Sequence, residues 1–388
     1  MISRRVLVVL LGILFLSGCG SLRRSDTAFY AQNLYRRAPY EVEGNYWISN
    51  MFYVSDRLVK ERPGKAPVFT AKLGNELTYG KLRMRISPKL RIETMLPKKL
   101  KKKGWVTVDD VSVLDEKIFM NELADAIKSS PYNSLIVMTE GYKDNFELTA
   151  IKSASFAYFL DVNTPILLFD WPGNQSVSPW GYERARVMAD KSGPYLAHML
   201  MKIVREIKPD KLWIESSSLG CQVVCSAFEE MYKETDFSDS ELELAHVVLS
   251  APDVKDDEFE GQFKDEIAAL VEELTVYVSS NDRALLLTEI IDSQKRLGRQ
   301  KSRVTKQKHL EEARDILYLK SLMPEKIALV DVTLIDKASY GHGYYMESPE
   351  YFDDFYLRLF GAKRPLNRNL YLVDKEGDMD YWILRSER

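Results

Sequence analysis

Between Ser134 and Ile335 short apolar runs alternate with stretches of helical spacing, and this alternation constrains the fold more than any other property of the chain. The runs are Ser134 to Met138, Pro165 to Phe169, Leu212 to Ile214, His246 to Ser250, Leu274 to Val278 and Ile327 to Ile335. They are short and nearly continuous in apolar character, which suits strands buried on both faces. Phe146 to Leu160, Tyr182 to Ile207, Leu219 to Tyr232 and Asp257 to Glu272 read as the intervening helices. Parallel strands need crossover connections of about a dozen residues or more, so the pattern predicts an α/β fold with a mostly parallel central sheet and helices on both faces.

Upstream, Tyr46 to Val54 and Lys81 to Ile86 are strand candidates for a sheet edge, and Phe119, Met120, Leu123, Ala124 and Ile127 have helical spacing. Between them Pro97 to Gly104 holds five lysines, a run that reads either as a solvated loop or as a contact for anionic lipid.

The first residues set the expected compartment. Arg4 and Arg5 precede an apolar run from Val6 to Leu16, the layout of a signal peptide and shorter than the roughly 20 residues of a stable membrane span. It ends in Leu16-Ser17-Gly18-Cys19, which resembles the lipobox of bacterial lipoproteins, where the cysteine is lipidated. That resemblance implies a chain anchored through Cys19, and Gly20 at the next position implies an outer membrane, facing the periplasm. The expected organisation is a signal peptide over 1–19, a tether over 20–45 and one domain over 46–388, with its core at 131–362 and N-terminal strands at 46–95. After Cys19 only Cys221 and Cys225 remain, four apart in a predicted helix, and they read as small buried apolar residues. A hydrophobic content of 45% is enough for a sizeable core, and a net charge of -3 argues against a nucleic-acid partner.

The chemistry centres on Ser216-Ser217-Ser218-Leu219-Gly220, which follows the run ending at Ile214 and opens at once into an apolar helix. Strand, sharp turn and helix with a serine at the bend form a nucleophile elbow, whose helix N-terminus faces developing negative charge. Alone, the pattern fits a helix-capping serine equally well. A serine nucleophile needs a base, and of His198, His246, His309 and His342 only the last sits between two glycines beyond the last long run, where a loop histidine can reach the elbow. For the acid that orients it, Asp282 follows Ser279-Ser280-Asn281 after the run before the histidine-bearing one, and Asp253 after Ala251-Pro252 is the alternative. An oxyanion needs two backbone donors: the amide of Leu219 is one, and the amide of Tyr142, after Glu140-Gly141, is the other.

Together these residues resemble a family of bacterial α/β-hydrolases of unknown function, generally described as esterase- or lipase-like. Its landmarks occur in order: Glu140-Gly141-Tyr142, Phe169-Asp170-Trp171-Pro172, Ser218-Leu219-Gly220, Ala251-Pro252-Asp253, Ser279 to Ala284, and Gly341-His342-Gly343. Fainter similarity covers Val54-Ser55-Asp56-Arg57 and Leu77 to Gly80. The resemblance implies an α/β-hydrolase fold and a serine hydrolase acting on a small acyl ester or lipid, with Ser218, Asp282 and His342 as its catalytic set and no metal or organic cofactor. Two positions depart from the family, which has histidine where Glu140 and Ser217 stand, and a carboxylate at Glu140 would oppose the oxyanion charge. Glu215, inside a buried strand, needs a partner. These departures keep open a second reading, a binding or scaffold lipoprotein on a hydrolase fold without catalysis. The basic stretch Asp292 to Met323 reads either as a helical cover over the site or as a surface excursion, and Trp171, Trp180, Tyr182 and Tyr344 as pocket lining or core.

Overall fold

All six apolar runs become strands of one sheet in the structure, a computed structural model that describes residues 38–92, 97–234, 244–300, 326–338, 340–359, 370–376 and 379–386. The lipobox, the predicted tether up to residue 37 and residues 301–325 lie outside the described residues. The parallel core consists of β5 (Ser134–Thr139), β6 (Ile166–Asp170), β7 (Lys211–Ser217), β8 (Leu244–Ser250), β9 (Val271–Val278) and β10 (Ile327–Asp331). Before it come β1 (Glu41–Glu43), β2 (Tyr46–Arg62), β3 (Lys65–Ile86) and β4 (Val106–Leu114), and after it β11 (Leu370–Glu376) and β12 (Met379–Leu384). Among the described residues the order is β11-β12-β10-β9-β8-β7-β5-β6-β2-β3-β4, with β1 on β2.

Side chains on β5 and β7 divide by the two-residue period of a strand. Leu135, Val137, Leu212 and Ile214 enter one hydrophobic core, and Ile136, Met138 and Trp213 enter the other. The first core is roofed by α2 (Glu116–Ser129), α4 (Pro179–Lys202) and α5 (Gly220–Lys233). The second lies under α1 (Pro97–Lys103), α3 (Phe146–Leu160), α8 (Tyr344–Glu347) and α9 (Pro349–Leu359). A helical turn at Asp256–Glu258 and a π turn at Phe259–Phe263 lead into α6 (Lys264–Leu270), and α7 (Arg283–Asp292) follows β9.

The sheet extends past both limits read from sequence. The edge strands are longer than the predicted segments, because β2 and β3 form one antiparallel hairpin from Trp47↔Ile86 to Arg62↔Lys65, of which only Phe52 to Ser55 pairs with β6. Beyond Ser55 the hairpin rises past the C-terminal end of β6, while Tyr46 to Met51 extend toward its N-terminal end. At the other side β12 pairs parallel with β10, so the C-terminal segment inserts into the sheet beyond residue 362. The lysine run is helix α1, where Leu100 is buried and the lysines at 101, 102 and 103 occupy the last turn, the favourable end for positive charge. β10 ends at Asp331, four residues before the predicted end, because the Val332–Ile335 segment turns back on itself through the Ile335 N–H to Val332 carbonyl bond.

The strand order reverses at β5: the chain goes out to β6 and returns to β7 on the other side. Such a switch point opens a crevice at the carboxyl ends of the two strands. Thr139 and Ser216 are paired there, so the loop after β5 and the elbow after β7 are neighbours.

Candidate active site

Ser218 is held in the left-handed region with φ of +54°, a conformation that costs a non-glycine residue of order 1 kcal/mol or more and marks a bend fixed by its surroundings. The bend is pinned by hydrogen bonds from Ser218 N–H to the Ser250 carbonyl (2.9 Å) and from Asp253 N–H to the Ser218 carbonyl (3.1 Å). Two glycines make room for it. A Cβ on Gly220 would lie 2.6 Å from the Thr139 carbonyl oxygen, and one on Gly141 would lie 2.7 Å from Ser218 Cβ. Ser216, at the place where glycine is usual, fits because its Oγ donates to the same Thr139 carbonyl at 3.1 Å.

His342 Nε2 is 2.9 Å from Ser218 Oγ, and His342 Nδ1 is 2.7 Å from Asp282 Oδ2. Asp282 is fully buried, and its other oxygen caps α7 by accepting from Leu285 N–H at 2.9 Å, so its orientation is fixed by the helix it starts. Burial works against a charged His342, but the Asp282 carboxylate and its hydrogen bond outweigh it and hold the imidazole above its ordinary pKa. Asp253, the alternative acid, is engaged elsewhere: its Oδ1 accepts from Arg296 Nε (2.7 Å) and from the Tyr182 hydroxyl (3.0 Å). The two candidate oxyanion amides, Tyr142 and Leu219, have no backbone carbonyl partner among the described loop and cap contacts.

Glu140 does not face the oxyanion position as an isolated charge. Its Oε2 pairs with Lys152 Nζ at 2.7 Å and accepts from Ser217 Oγ at 2.8 Å, while its carbonyl accepts from Trp171 Nε1 at 2.7 Å. Lys152 lies 5.2 Å over the ring of Tyr345, which meets the His342 ring edge-on at 6.4 Å. Burial disfavours the Lys152 charge, yet Glu140 more than compensates and keeps it charged. Glu215, also buried, is pushed well above the carboxylate range by burial and then by the nearby Glu140 charge. The two departures from the family pattern, Glu140 and Ser217, thus meet in one buried cluster built around the Glu140–Lys152 ion pair.

A second buried network supports the oxyanion loop from behind. Arg57 binds Asp170 through Nε (2.5 Å) and Nη2 (3.0 Å), a bidentate pair joined by Ser55 Oγ at 2.9 Å and by the Asn174 side chain. Arg57 Nη2 also reaches the Asp144 carbonyl at 3.4 Å. Sequence reasoning assigned no role to Arg57, Lys152 or Arg296. Lys152 left a signal, a lone cation in a helix otherwise apolar on nearly every side. Arg296 left none, since it stands among other basic residues in the sequence.

Of the four aromatics considered as pocket lining, Trp171, Tyr182 and Tyr344 are buried, and Trp180 is 78% exposed. Tyr344 instead bridges β8 and β9, its hydroxyl accepting from Ala251 N–H and donating to the Tyr277 carbonyl, both at 2.7 Å. Ser293–Gln300, the start of the basic stretch, packs against the rim through Arg296, and its remainder falls outside the described residues. A groove of about 660 Å³ between β3, β4 and α4 is lined by Glu76, Tyr79, Glu116 and His198 and does not include the elbow serine. Among the described residues no cluster of three His, Cys, Asp or Glu side chains could hold a metal ion, and no helix is long and apolar enough to cross a membrane. Cys221 and Cys225 are free and buried, as expected for small apolar packing.

A switch-point crevice, a strained elbow serine and a helix N-terminus behind it define an α/β hydrolase. Residues 115–362 match the family described as alpha/beta hydrolase of unknown function (DUF900), and the chain belongs to that family. It is also similar to an uncharacterized protein of Nostoc sp., alr1448, at 24% identity over 220 residues, which cover 48% of this chain. The match spans 56% of that relative's length.

Proposed function

We propose that this protein is a serine hydrolase that cleaves a carboxylic ester or a related acyl bond. The observation that carries the reading is the unbroken hydrogen-bond succession from Asp282 through His342 to Ser218, made by residues 60 and 124 positions apart. In this reading His342 Nε2 takes the Ser218 proton as Oγ attacks the acyl carbon, and the oxyanion is met by the amides of Leu219 and Tyr142. His342 then gives the proton to the leaving alkoxide, which departs as alcohol. Water, deprotonated by the same imidazole, attacks the acyl-enzyme, and Ser218 leaves with its proton restored as the carboxylic acid is released. Asp282 holds the tautomer with the proton on Nδ1 and stabilises the imidazolium. The alternative, a scaffold without turnover, rested on Glu140 and Glu215, and the Lys152 partner answers the charge of the first.

The test is hydrolysis of a series of acyl esters of increasing chain length by the purified chain, beside the Ser218→Ala variant. Turnover that disappears in the variant supports the reading, and equal turnover by both contradicts it. We also propose that Cys19 is lipidated and holds the protein in the cell envelope, at an outer membrane facing the periplasm, by the sequence signals described above. Metabolic palmitate labelling that persists in Cys19→Ser would rule this out.

A further inference from the structure

Among the described residues, fourteen large apolar side chains are exposed, and seven of them lie on segments that leave the C-terminal ends of the strands around Ser218. Val177 and Trp180 follow β6, Leu286, Ile290 and Ile291 lie on α7, and Leu334 and Tyr340 follow β10. These segments adjoin one another. Thr288 of α7 and Tyr182 of α4 both bond Asp253, and Arg283 N–H donates to the Tyr340 carbonyl at 2.8 Å. A helix such as α7, with Leu285 buried and Leu286 and Ile290 turned outward, spends apolar residues on both faces, which packing within the fold does not require.

Basic residues frame this surface. On the segments that follow β5, β6, β8, β9 and β10, Lys143, Arg184, Lys191, Arg283, Lys295 and Lys337 are exposed, against Glu183, Asp190, Asp257 and Glu260. Helix α1 adds its lysines at the same rim, where Lys101 pairs with Glu147 in the first turn of α3 at 2.5 Å. Burial raises the Asp144 and Glu347 carboxyls, and Lys98 lies near enough to the first and Lys99 to the second for their charges to offset part of that rise.

We propose that the rim around Ser218 docks on a bilayer containing anionic phospholipid, with the apolar residues entering the headgroup boundary and the α1 lysines meeting the phosphates. An apolar patch ringed by cations has the complementarity such a surface demands, since each basic residue near it adds attraction and buried apolar area adds the rest. Docking this way would present the Ser218 crevice to acyl chains within the lipid. The surface stands on its own and does not need Ser218 to be a nucleophile.

The test uses the full chain with a polarity-sensitive fluorophore on Ile290→Cys or, as control, on Tyr132→Cys, which lies before the N-terminal end of β5. Each is mixed with vesicles of phosphatidylcholine alone or containing phosphatidylglycerol. The expected result is a blue shift at position 290 and none at 132, larger on the anionic vesicles and reduced about tenfold or more in partitioning by Lys98→Ala, Lys99→Ala and Lys101→Ala together. These are surface positions, and an unchanged circular dichroism spectrum shows that the variant is folded. Equal signals at both positions, no preference for anionic vesicles, or a shift at 290 that grows with protein concentration without vesicles, as a second copy would give, each overturns the proposal. Ester hydrolysis measured on the same samples separates failed docking from failed catalysis.

Discussion

Lys152 Nζ lies 2.7 Å from Glu140 Oε2, an ion pair in which Glu140 is 1% exposed and Lys152 11%. It joins α3 to the loop that carries the candidate oxyanion donor, and the Ser217 hydroxyl ties the same carboxylate to the residue before the nucleophile. A charge in this place is tolerated because its partner is buried with it.

Breaking one side of the pair is therefore costly. Lys152→Met leaves a buried carboxylate without its cation and should destabilise the protein by about 3 to 5 kcal/mol in urea unfolding. The double variant Glu140→Gln, Lys152→Met removes both charges and should recover most of that loss. A double variant no more stable than Lys152→Met would show that the two residues are not coupled.

Gly141 and Gly220 separate rate from stability. Gly141→Ala sets a methyl 2.7 Å from Ser218 Cβ, so kcat should fall about tenfold or more with a small change in Tm. Gly220→Ala sets one against the Thr139 and Glu140 carbonyls at 2.6 and 2.7 Å, and backbone cannot swing aside, so its Tm should drop by several degrees. Paired Tm and kcat measurements on the two variants check both statements.

The sign of the His342 shift fixes the acid limb of the pH profile. Only neutral imidazole accepts the Ser218 proton, and the Asp282 carboxylate raises the His342 pKa above its ordinary 6.5, so kcat/KM should rise with pH through a midpoint above that value. Asp282→Asn removes the cause of the rise and the hold on the tautomer. Its midpoint should move down and kcat should fall by about three to four orders of magnitude. A midpoint unmoved in the variant would separate Asp282 from the imidazole.

Asp56 makes a different pH prediction. It is fully buried beside Ser192 and the Arg57–Asp170 pair, and burial, only partly offset by Ser192 and Arg57, pushes it from 3.8 to about 7. The folded chain therefore holds a proton that the unfolded chain has lost, so this contribution is present below the lower value and fades as pH rises through the higher one. Asp56→Asn should flatten the fall in unfolding free energy between about pH 4 and 7. An identical slope in the variant would contradict the assignment.

How much of this the sequence could show depends on the range of the signal. The alternation from Ser134 onward is local and each strand announces itself, so the order of parallel strands and helices and the elbow at Ser218 were legible. Asp282 and His342 were legible through their places after successive strands. The β2–β3 hairpin was shortened because bulges at Ser55/Arg57, Arg57/Val59 and Lys60/Arg62 interrupt its pattern. β4, with Asp109 and Asp110 exposed at the sheet edge, lacks an apolar run, and β12 reads as one only when paired with β10. Lys152 and Arg296 find their partners only in three dimensions, and nothing within a few residues of either foretells Glu140 or Asp253.

The central claim is that Ser218 is a nucleophile activated by His342. Treating the purified protein with a fluorophosphonate and mapping the adduct by peptide mass spectrometry tests it most directly. The account predicts one phosphonyl group on Ser218, slowed at least a hundredfold by His342→Ala. An unmodified Ser218, or modification at equal rate without the imidazole, would contradict it.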